Sequence, residues 1–230
     1  MPPRKAPEQR LDELVEAALR VFAAKGFRAA QMADVAAEMG VSQGTLYNYV
    51  ESKDGLFSLC LDRLLLDGDQ PTELPVRALE KDVLAERLRG RLADLWEFRA
   101  LGTAAKRAEN PRAELEVVLG ELYDAFGARR LAIDAIERSA REVPEFAEVF
   151  YVVLRRDLIA RLARYIETRV ASHQFRPVED PPTVARLVIE TITYFARHRF
   201  GDMDSKMIDD DVARRTVIDM LSAALLAESP

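Results

Sequence analysis

The chain has 230 residues, 49% of them hydrophobic and 31% charged, with a formal net charge of −6 at pH 7. This is the composition of a soluble globular protein, long enough for one large or two small domains. No stretch approaches the roughly 18 uncharged apolar residues of a membrane span, and the N-terminus lacks the apolar core of a secretory signal. The single cysteine, Cys60, excludes an internal disulfide and a cysteine-based metal cage, so we expect a cytoplasmic protein.

Helical patterning dominates the whole chain. Ala, Leu, Arg and Glu are abundant, β-branched residues occur singly, and no run of alternating polar and apolar residues is present. These features predict an all-α fold. The first helix is predicted from about Pro7 to Lys25, ending at Gly26, after a proline-flanked arm that carries Arg4 and Lys5. Such an arm is often disordered.

Residues 31–53 carry the most informative pattern, two short helices joined by a tight turn. Apolar residues recur at helical spacing in the first helix, and Gly40 stands where a helix ends, because glycine accepts left-handed backbone geometry. Ser42 is a suitable N-cap for the second helix, whose hydroxyl we expect to accept a backbone amide. Leu46 and Val50, four residues apart, are predicted to face inward. The inward residues of the first helix are Met32, Val35, Ala36 and Met39.

This layout is that of a helix-turn-helix, whose second helix enters the major groove of DNA. Gln43 can make paired hydrogen bonds to adenine, and the Thr45 methyl can contact thymine. Gly44 leaves room for close approach. The hydroxyls of Tyr47 and Tyr49 can reach phosphates. The alternative is a structural corner between two helices, with no contact to nucleic acid.

The order GVSQGTLYNYVESKDGLF, with FRAAQMADVAAEM before it, resembles the DNA-binding domain of the TetR family of bacterial transcriptional regulators. The resemblance extends from about Leu11 to Leu61. It implies two groups of DNA-contacting residues. The base-reading group is Gln43, Gly44, Thr45 and Asn48, and the phosphate-binding group is Gln31, Tyr47, Tyr49 and Lys53, with Ser42 beside them at the helix start. The family usually has two threonines where this chain has Ala30-Gln31, so here Gln31 alone is expected to make that phosphate contact.

The overall charge is unusual for a protein that binds nucleic acid, but it is unevenly distributed. Residues 1–53 contain seven basic and seven acidic residues, and the remainder holds 26 basic and 32 acidic residues. The N-terminal part is therefore the less acidic one without being strongly basic. We expect modest non-specific affinity for DNA and marked sensitivity to salt.

Helices separated by turn signals are predicted for the rest of the chain. The division expected is a DNA-binding domain at residues 1–52 and a helical effector-binding and dimerisation domain at residues 53–230. A loop is expected over 67–78. The predicted helices are 53–67, 79–108, 111–126 with Asn110 as cap, 128–141, 145–172, 181–199 after Asp180, and 209–227.

Apolar stripes on the last two helices bear on assembly. By the resemblance, the last two helices of each subunit form a four-helix dimer interface. A dimer also makes physical sense, because two recognition helices about 34–36 Å apart would read a palindromic site. The stripes are Val184, Leu187, Val188, Thr191, Ile192 and Phe195 on one helix, and Val212, Val217, Met220, Leu221, Ala224 and Leu225 on the other.

No catalytic or metal-binding motif occurs in the sequence, so neither an enzyme nor a cofactor is expected. The resemblance implies a C-terminal pocket for a small effector of unknown identity. The candidate pocket residues are Trp96, Tyr123, Phe126, Phe150 and Tyr151. The function expected is a repressor released from a palindromic operator by that effector. The alternative is a helical interaction module without sequence-specific DNA binding.

Overall fold

A computed structural model describes residues 7–65, 71, 73–80, 82–83, 86, 101 and 108–227. Within these ranges the fold is all-α, and no strand occurs in them. The predictions for Arg4, Lys5 and Trp96 lie outside the described residues. None of the described helices combines the length and apolar character needed to cross a bilayer.

The chain divides into two compact units: unit 1 is Met1–Leu95 with Leu131–Leu154, and unit 2 is Trp96–Arg130 with Arg155–Pro230. The predicted functional boundary between residues 52 and 53 is a different division and stays a prediction. The first four helices are α1 (Pro7–Ala29), α2 (Met32–Met39), α3 (Gln43–Leu46) and α4 (Lys53–Leu65). The later ones are α5 (Pro111–Ala128), α6 (Arg130–Ala140), α7 (Pro144–Ala147), α8 (Asp157–Ala171), α9 (Pro181–Ala196) and α10 (Asp210–Leu225). A π-helical segment, Glu148–Arg156, joins α7 to α8, and a 3₁₀ helix, His198–Gly201, follows α9.

The core of unit 1 is built around an aromatic cluster. Phe57 of α4 packs edge-on against Phe22 and Phe27 of α1, with ring centroids 4.9 and 5.1 Å apart. Phe146 of α7 lies 4.8 Å from Phe57. Cys60 is fully buried beside this core, as predicted, and burial raises the pKa of its thiol. α1 packs on both α2 and α4. Through α1, the aromatic cluster therefore supports α2, the first helix of the helix-turn-helix.

In unit 2, α9 packs against α5, α8 and α10, and α10 also packs against α5. The fully buried Arg169 of α8 is neutralised by Glu114 of α5, which accepts from its Nε at 2.9 Å. The predicted cap Asn110 is confirmed, and Asp180, where the next helix was predicted to start, also caps its helix. Asn110 Oδ1 accepts from the amide of Ala113 at 3.1 Å, and Asp180 Oδ2 accepts from the amide of Thr183 at 2.9 Å.

Several predicted helix bounds are wrong. Leu79, Glu80 and Ala108 are not helical, so the helix predicted over 79–108 fails at both ends, and most of its middle lies outside the described residues. At Ala108 the reason is a long-range contact, since the Gln174 side chain binds both its backbone amide and its carbonyl. α5 continues past Phe126 to Ala128, and the α-helix predicted to reach Arg199 ends at Ala196.

Candidate nucleic-acid interface

The turn between α2 and α3 is held by backbone hydrogen bonds. Gly40 adopts φ 67° and ψ 33°, the left-handed geometry predicted for it. Its amide donates to the carbonyl of Ala37 at 3.1 Å, and the amide of Val41 donates to the carbonyl of Ala36 at 3.0 Å. The end of α2 is therefore fixed without any polar side chain.

The second helix is shorter than predicted. Leu46 and Val50 were predicted to lie on one helix, but α3 has only four residues, Gln43–Leu46, and is followed by a turn. In that turn the amides of Asn48 and Tyr49 donate three residues back, to the carbonyls of Thr45 and Leu46. The chain thus keeps winding in a tighter form. Leu46 and Val50 are fully buried, as predicted, and they anchor the two ends of the segment.

The role predicted for the Ser42 hydroxyl is wrong. Ser42 occupies the N-cap position of α3, but its side chain caps no amide. Its Oγ lies 2.9 Å from Oγ1 of Thr45 instead, so the two hydroxyls are hydrogen-bonded to each other. Nε2 of Gln43 similarly donates to the hydroxyl of Tyr47 at 3.3 Å. These side chains are already paired on the surface before any partner binds.

Most of the predicted DNA-contacting residues form one local surface, which we call the α3 surface: Ser42, Gln43, Gly44, Thr45, Tyr47 and Asn48. Five of these six residues are exposed, and Thr45 is half-buried. Tyr47 is 43% exposed although it is a large aromatic residue. Tyr49 follows in the turn and is half-buried. An exposed set of amides, hydroxyls and a phenol over two buried anchors is well suited to contacting base edges and phosphates.

The start of α2 carries a second predicted contact, Gln31, which is exposed at the N-cap position. Its backbone amide donates to Oδ2 of Asp34 at 3.0 Å. A bond from Lys25, together with the Gln31 amide, holds the pKa of Asp34 below its usual range. The preceding Ala30 is buried and has no polar side chain. The phosphate contact predicted for Gln31 stays a prediction.

Lys53 has a structural role that the sequence did not indicate. Its ammonium donates to the carbonyls of Phe27, Arg28 and Ala30, at 2.8, 3.2 and 3.0 Å. It also lies 4.7 Å from the centre of the Phe27 ring. Because an ammonium has three hydrogens, a phosphate contact by Lys53 would have to replace one of these bonds. That contact stays a prediction.

Two basic residues of α1, Arg20 and Lys25, are paired with acids. Arg20 binds Glu16 at 2.6 Å and Glu38 at 2.9 Å, and Lys25 binds Asp34 at 2.7 Å. The helix-turn-helix therefore presents polar side chains rather than a strongly positive field. This agrees with the even balance of charge in residues 1–53.

The residues predicted to line an effector pocket are distributed over both units. In unit 2, Phe126 and Tyr123 are buried, and the Tyr123 hydroxyl donates to Asp210 at 3.0 Å. Burial and Asp210 raise the pKa of Tyr123 to about 12. In unit 1, Phe150 and Tyr151 form an edge-to-face pair with centroids 4.9 Å apart. The pocket itself stays a prediction.

A cavity of about 410 Å³ does occur in unit 2, but none of these candidates lines it. Its walls come from the end of α8, the loop after it and the end of α10. The lining residues are Val170, His173, Phe175, Arg176, Pro177, Ala223, Leu226 and Ala227.

Sequence reasoning missed one segment close to the α3 surface. Val76 forms an isolated parallel bridge with Val50, at the end of the turn that follows α3. A signal was present in the sequence. Gly55 stands in the first turn of α4, and glycine inside a helix often marks the close approach of another backbone.

Comparison with known proteins agrees with this geometry. Residues 14–60 match the model of the bacterial regulatory proteins of the tetR family. A segment of 68 residues is 40% identical to the HTH-type transcriptional repressor DrrR1 of Streptomyces coeruleorubidus. That match covers 30% of this chain and 25% of the repressor, so it concerns only a quarter of that protein.

Solved structures extend the likeness in fold to nearly the whole chain. The ketosteroid transcriptional regulator KstR2 of Mycobacterium tuberculosis matches 95% of this chain and 96% of its own, with a TM-score of 0.59 and 17% identity. FadR of Bacillus subtilis, solved with stearoyl-CoA, matches 93% of this chain and 98% of its own, with a TM-score of 0.50 and 14% identity. Residues 14–60 of this chain are thus similar to the bacterial regulatory proteins of the tetR family, and the likeness over the rest of the chain is one of fold.

Proposed function

We propose that this protein is a transcriptional repressor that binds operator DNA through the α3 surface. The observation that carries the proposal is the exposure of Gln43, Tyr47 and Asn48 over the buried anchors Leu46 and Val50. A structural corner between helices would be expected to bury the phenol of Tyr47. Here it is 43% exposed, and among the described residues it is bonded only to another exposed polar side chain.

Each side chain has a distinct proposed role. Gln43 and Asn48 bind base edges through their amides, and Thr45 supplies a methyl group for thymine. Gly44 brings no side chain between the helix and the groove. Tyr47 binds a phosphate through its hydroxyl, which fixes the helix in register without reading sequence.

The operator is proposed to be palindromic and the protein a homodimer. α3 is only about 6 Å long at 1.5 Å per residue, so one copy reads few base pairs. Large apolar residues remain exposed on α9 and α10, where the family resemblance implies the dimer interface. Leu187 is 61% exposed, Met220 64% and Val212 47%, which favours a second copy covering them.

A small effector is proposed to release the protein from DNA. Support comes from the fold, since FadR of Bacillus subtilis, which shares it, was solved with stearoyl-CoA. The proposed effector-contacting residues remain Trp96, Tyr123, Phe126, Phe150 and Tyr151. The hydroxyl of Tyr123 is already bound to Asp210, so Tyr123 would contribute its ring. An effector that binds the DNA-free state tenfold better lowers operator affinity tenfold, or about 1.4 kcal/mol.

The direct test is nuclease protection of the DNA upstream of the protein's own gene, repeated over a salt series. We expect one protected site with two-fold symmetric halves and an affinity that falls steeply with salt. Tyr47→Phe removes one phosphate contact and should weaken binding at every salt concentration while leaving the salt dependence unchanged, because the hydroxyl is neutral. Gln9→Ala, on the exposed start of α1, serves as the matched surface control.

Two results would contradict the proposal. If neither this DNA nor a genome-wide pool of fragments yields a discrete site, the protein does not recognise an operator. If Tyr47→Phe and Gln43→Ala bind DNA as the wild type does, α3 is a structural corner. Either result would favour a helical interaction module.

A further inference from the structure

Residues 73–80, which we call the 73–80 segment, are non-helical and bind the turn that follows α3. The amide of Val76 donates to the carbonyl of Tyr49 at 2.7 Å, and the amide of Glu51 donates to the carbonyl of Val76 at 3.0 Å. These two bonds form the parallel bridge between Val76 and Val50. The backbone on both sides of the buried Val50 is therefore bound by one residue.

Gly55 makes this approach possible. A Cβ atom at position 55 would lie 2.8 Å from the carbonyl oxygen of Val76 and 3.3 Å from the amide nitrogen of Ala78. The nearer distance is too short for any real Cβ, and both neighbours are backbone atoms that cannot rotate away. Glycine is a poor helix former, but no larger residue fits in the first turn of α4 at the place where the 73–80 segment crosses that helix.

An ion pair adds a weaker contact at the same place. Nε of Arg77 lies 3.1 Å from Oε1 of Glu51, but the two side chains are 85% and 45% exposed. Solvent screening leaves such a pair with little energy. The backbone bridge is therefore the main contact of the segment with the turn.

The turn needs such support because α3 is so short. On the side of α3, the amides of Tyr49 and Val50 both donate to the carbonyl of Leu46, at 2.9 and 3.1 Å. Val76 supplies bonds from the other side, to the carbonyl of Tyr49 and the amide of Glu51. The direction of the Tyr49 side chain depends on this backbone.

We propose that Val76 is a positioning residue for DNA binding. Its backbone fixes the end of the recognition segment, so that Tyr49 and the α3 surface are held ready for the groove. Gly55 is required for this role because it admits Val76. The inference rests on the proposed function, and Val76 itself need not touch DNA.

Gly55→Ala separates positioning from general stability. Alanine is a better helix former than glycine, so α4 itself is not weakened by the change. The added Cβ displaces Val76, and we expect operator affinity to fall about tenfold while circular dichroism remains that of the wild type. Amide exchange at Glu51 should be faster than in the wild type because its bond to Val76 is lost.

A second pair of variants changes Val76 itself. Val76→Pro removes the amide hydrogen that binds Tyr49 and should lower operator affinity about fivefold to tenfold. Val76→Ala keeps that hydrogen and is the matched control, with affinity expected within about twofold of the wild type. If Val76→Pro does not fold, Gly55→Ala with the exchange measurement still tests the proposal.

A double-mutant cycle shows whether Val76 acts through Tyr49. Tyr49→Phe should weaken operator binding in the wild-type background and have little further effect in Gly55→Ala. Additive effects, or a Gly55→Ala protein that binds the operator as tightly as the wild type, would overturn the role of Val76 and leave the proposed function intact. A wild-type protein that binds no operator would overturn both.

Discussion

Two connections between consecutive helices are held together in opposite ways. The turn from α2 to α3 depends on backbone bonds and the left-handed Gly40, so its polar side chains stay on the surface. The connection from α9 to α10 depends on the buried side chain of Arg199, which is 1% exposed. Arg199 donates to the carbonyls of Phe195 and Ile208, both at 2.7 Å, and also binds Asp210.

The difference separates polar side chains on which the fold depends from polar side chains that it does not need. In the α9–α10 connection the polar side chains join parts of the fold, since the Tyr194 hydroxyl also binds Asp202 at 2.5 Å and lies 2.7 Å from Oγ of Ser205. In the α2–α3 turn the fold needs almost nothing from the polar side chains. Substitutions should therefore affect stability in one region and DNA affinity in the other.

The largest effect is expected for Arg199→Met. The change removes the buried guanidinium that donates to two carbonyls and to the Asp210 carboxylate, and should lower the free energy of unfolding by about 3 kcal/mol. Urea denaturation measures this loss. Arg215→Met, on the exposed side of α10, is the control and should change stability by less than about 0.5 kcal/mol. Equal losses in the two variants would mean that Arg199 does not hold the connection.

Gln43→Ala should show the reverse pattern. We expect it to weaken operator binding by about 1–3 kcal/mol, because a paired contact to a base is lost. Its unfolding free energy should stay close to that of the wild type, since Gln43 is exposed and makes only a 3.3 Å bond to Tyr47. A loss of stability without a loss of affinity would place Gln43 with the structural residues.

Gly40→Ala tests whether the turn from α2 to α3 depends on the left-handed backbone of Gly40. No atom lies within 4 Å of the added Cβ, so the change acts only through the left-handed φ of 67°. That strain costs about 1–2 kcal/mol of folding free energy. Gly40→Asn should cost less, because asparagine tolerates this geometry better than alanine. Thermal denaturation of both variants checks the order, and identical melting temperatures would contradict the explanation.

The smallest effect is expected for Asp34→Asn, through pH. The pKa of Asp34 is lowered in the folded protein, mainly by Lys25, so its contribution to stability is present above its unfolded pKa of about 3.9. That contribution is lost as the pH falls through the folded value. The wild type should thus be slightly more stable than Asp34→Asn at pH 7, and the gap should close below about pH 4. If the difference in stability between the wild type and Asp34→Asn did not change with pH, the charge of the Asp34 carboxylate would not be its cause.

The sequence was sufficient for features that depend on neighbouring residues. The turn at Gly40, the anchors Leu46 and Val50, the cap Asn110 and the helix start at Asp180 follow from local geometry and hydrophobic spacing. The all-α class follows in the same way. The family motif then connects the exposed residues of α3 with DNA.

Features made by distant residues could not be predicted. The three carbonyls that bind Lys53 lie 23 to 26 residues away from it in the chain. Val76 meets Tyr49 through backbone atoms, and the signal for this contact, Gly55, does not identify the segment that approaches α4. Gln174 reaches Ala108 across 66 residues and prevents a helix that local propensity favoured.

Selection from a pool of random DNA tests most directly the claim that α3 reads sequence. The wild-type protein should enrich a two-fold symmetric sequence. Gln43→Ala should enrich the same sequence with the preference lost at one symmetric pair of positions, and Arg215→Met should leave every preference unchanged. Enrichment of no sequence by the folded wild type, or an unaltered preference in Gln43→Ala, would contradict the claim.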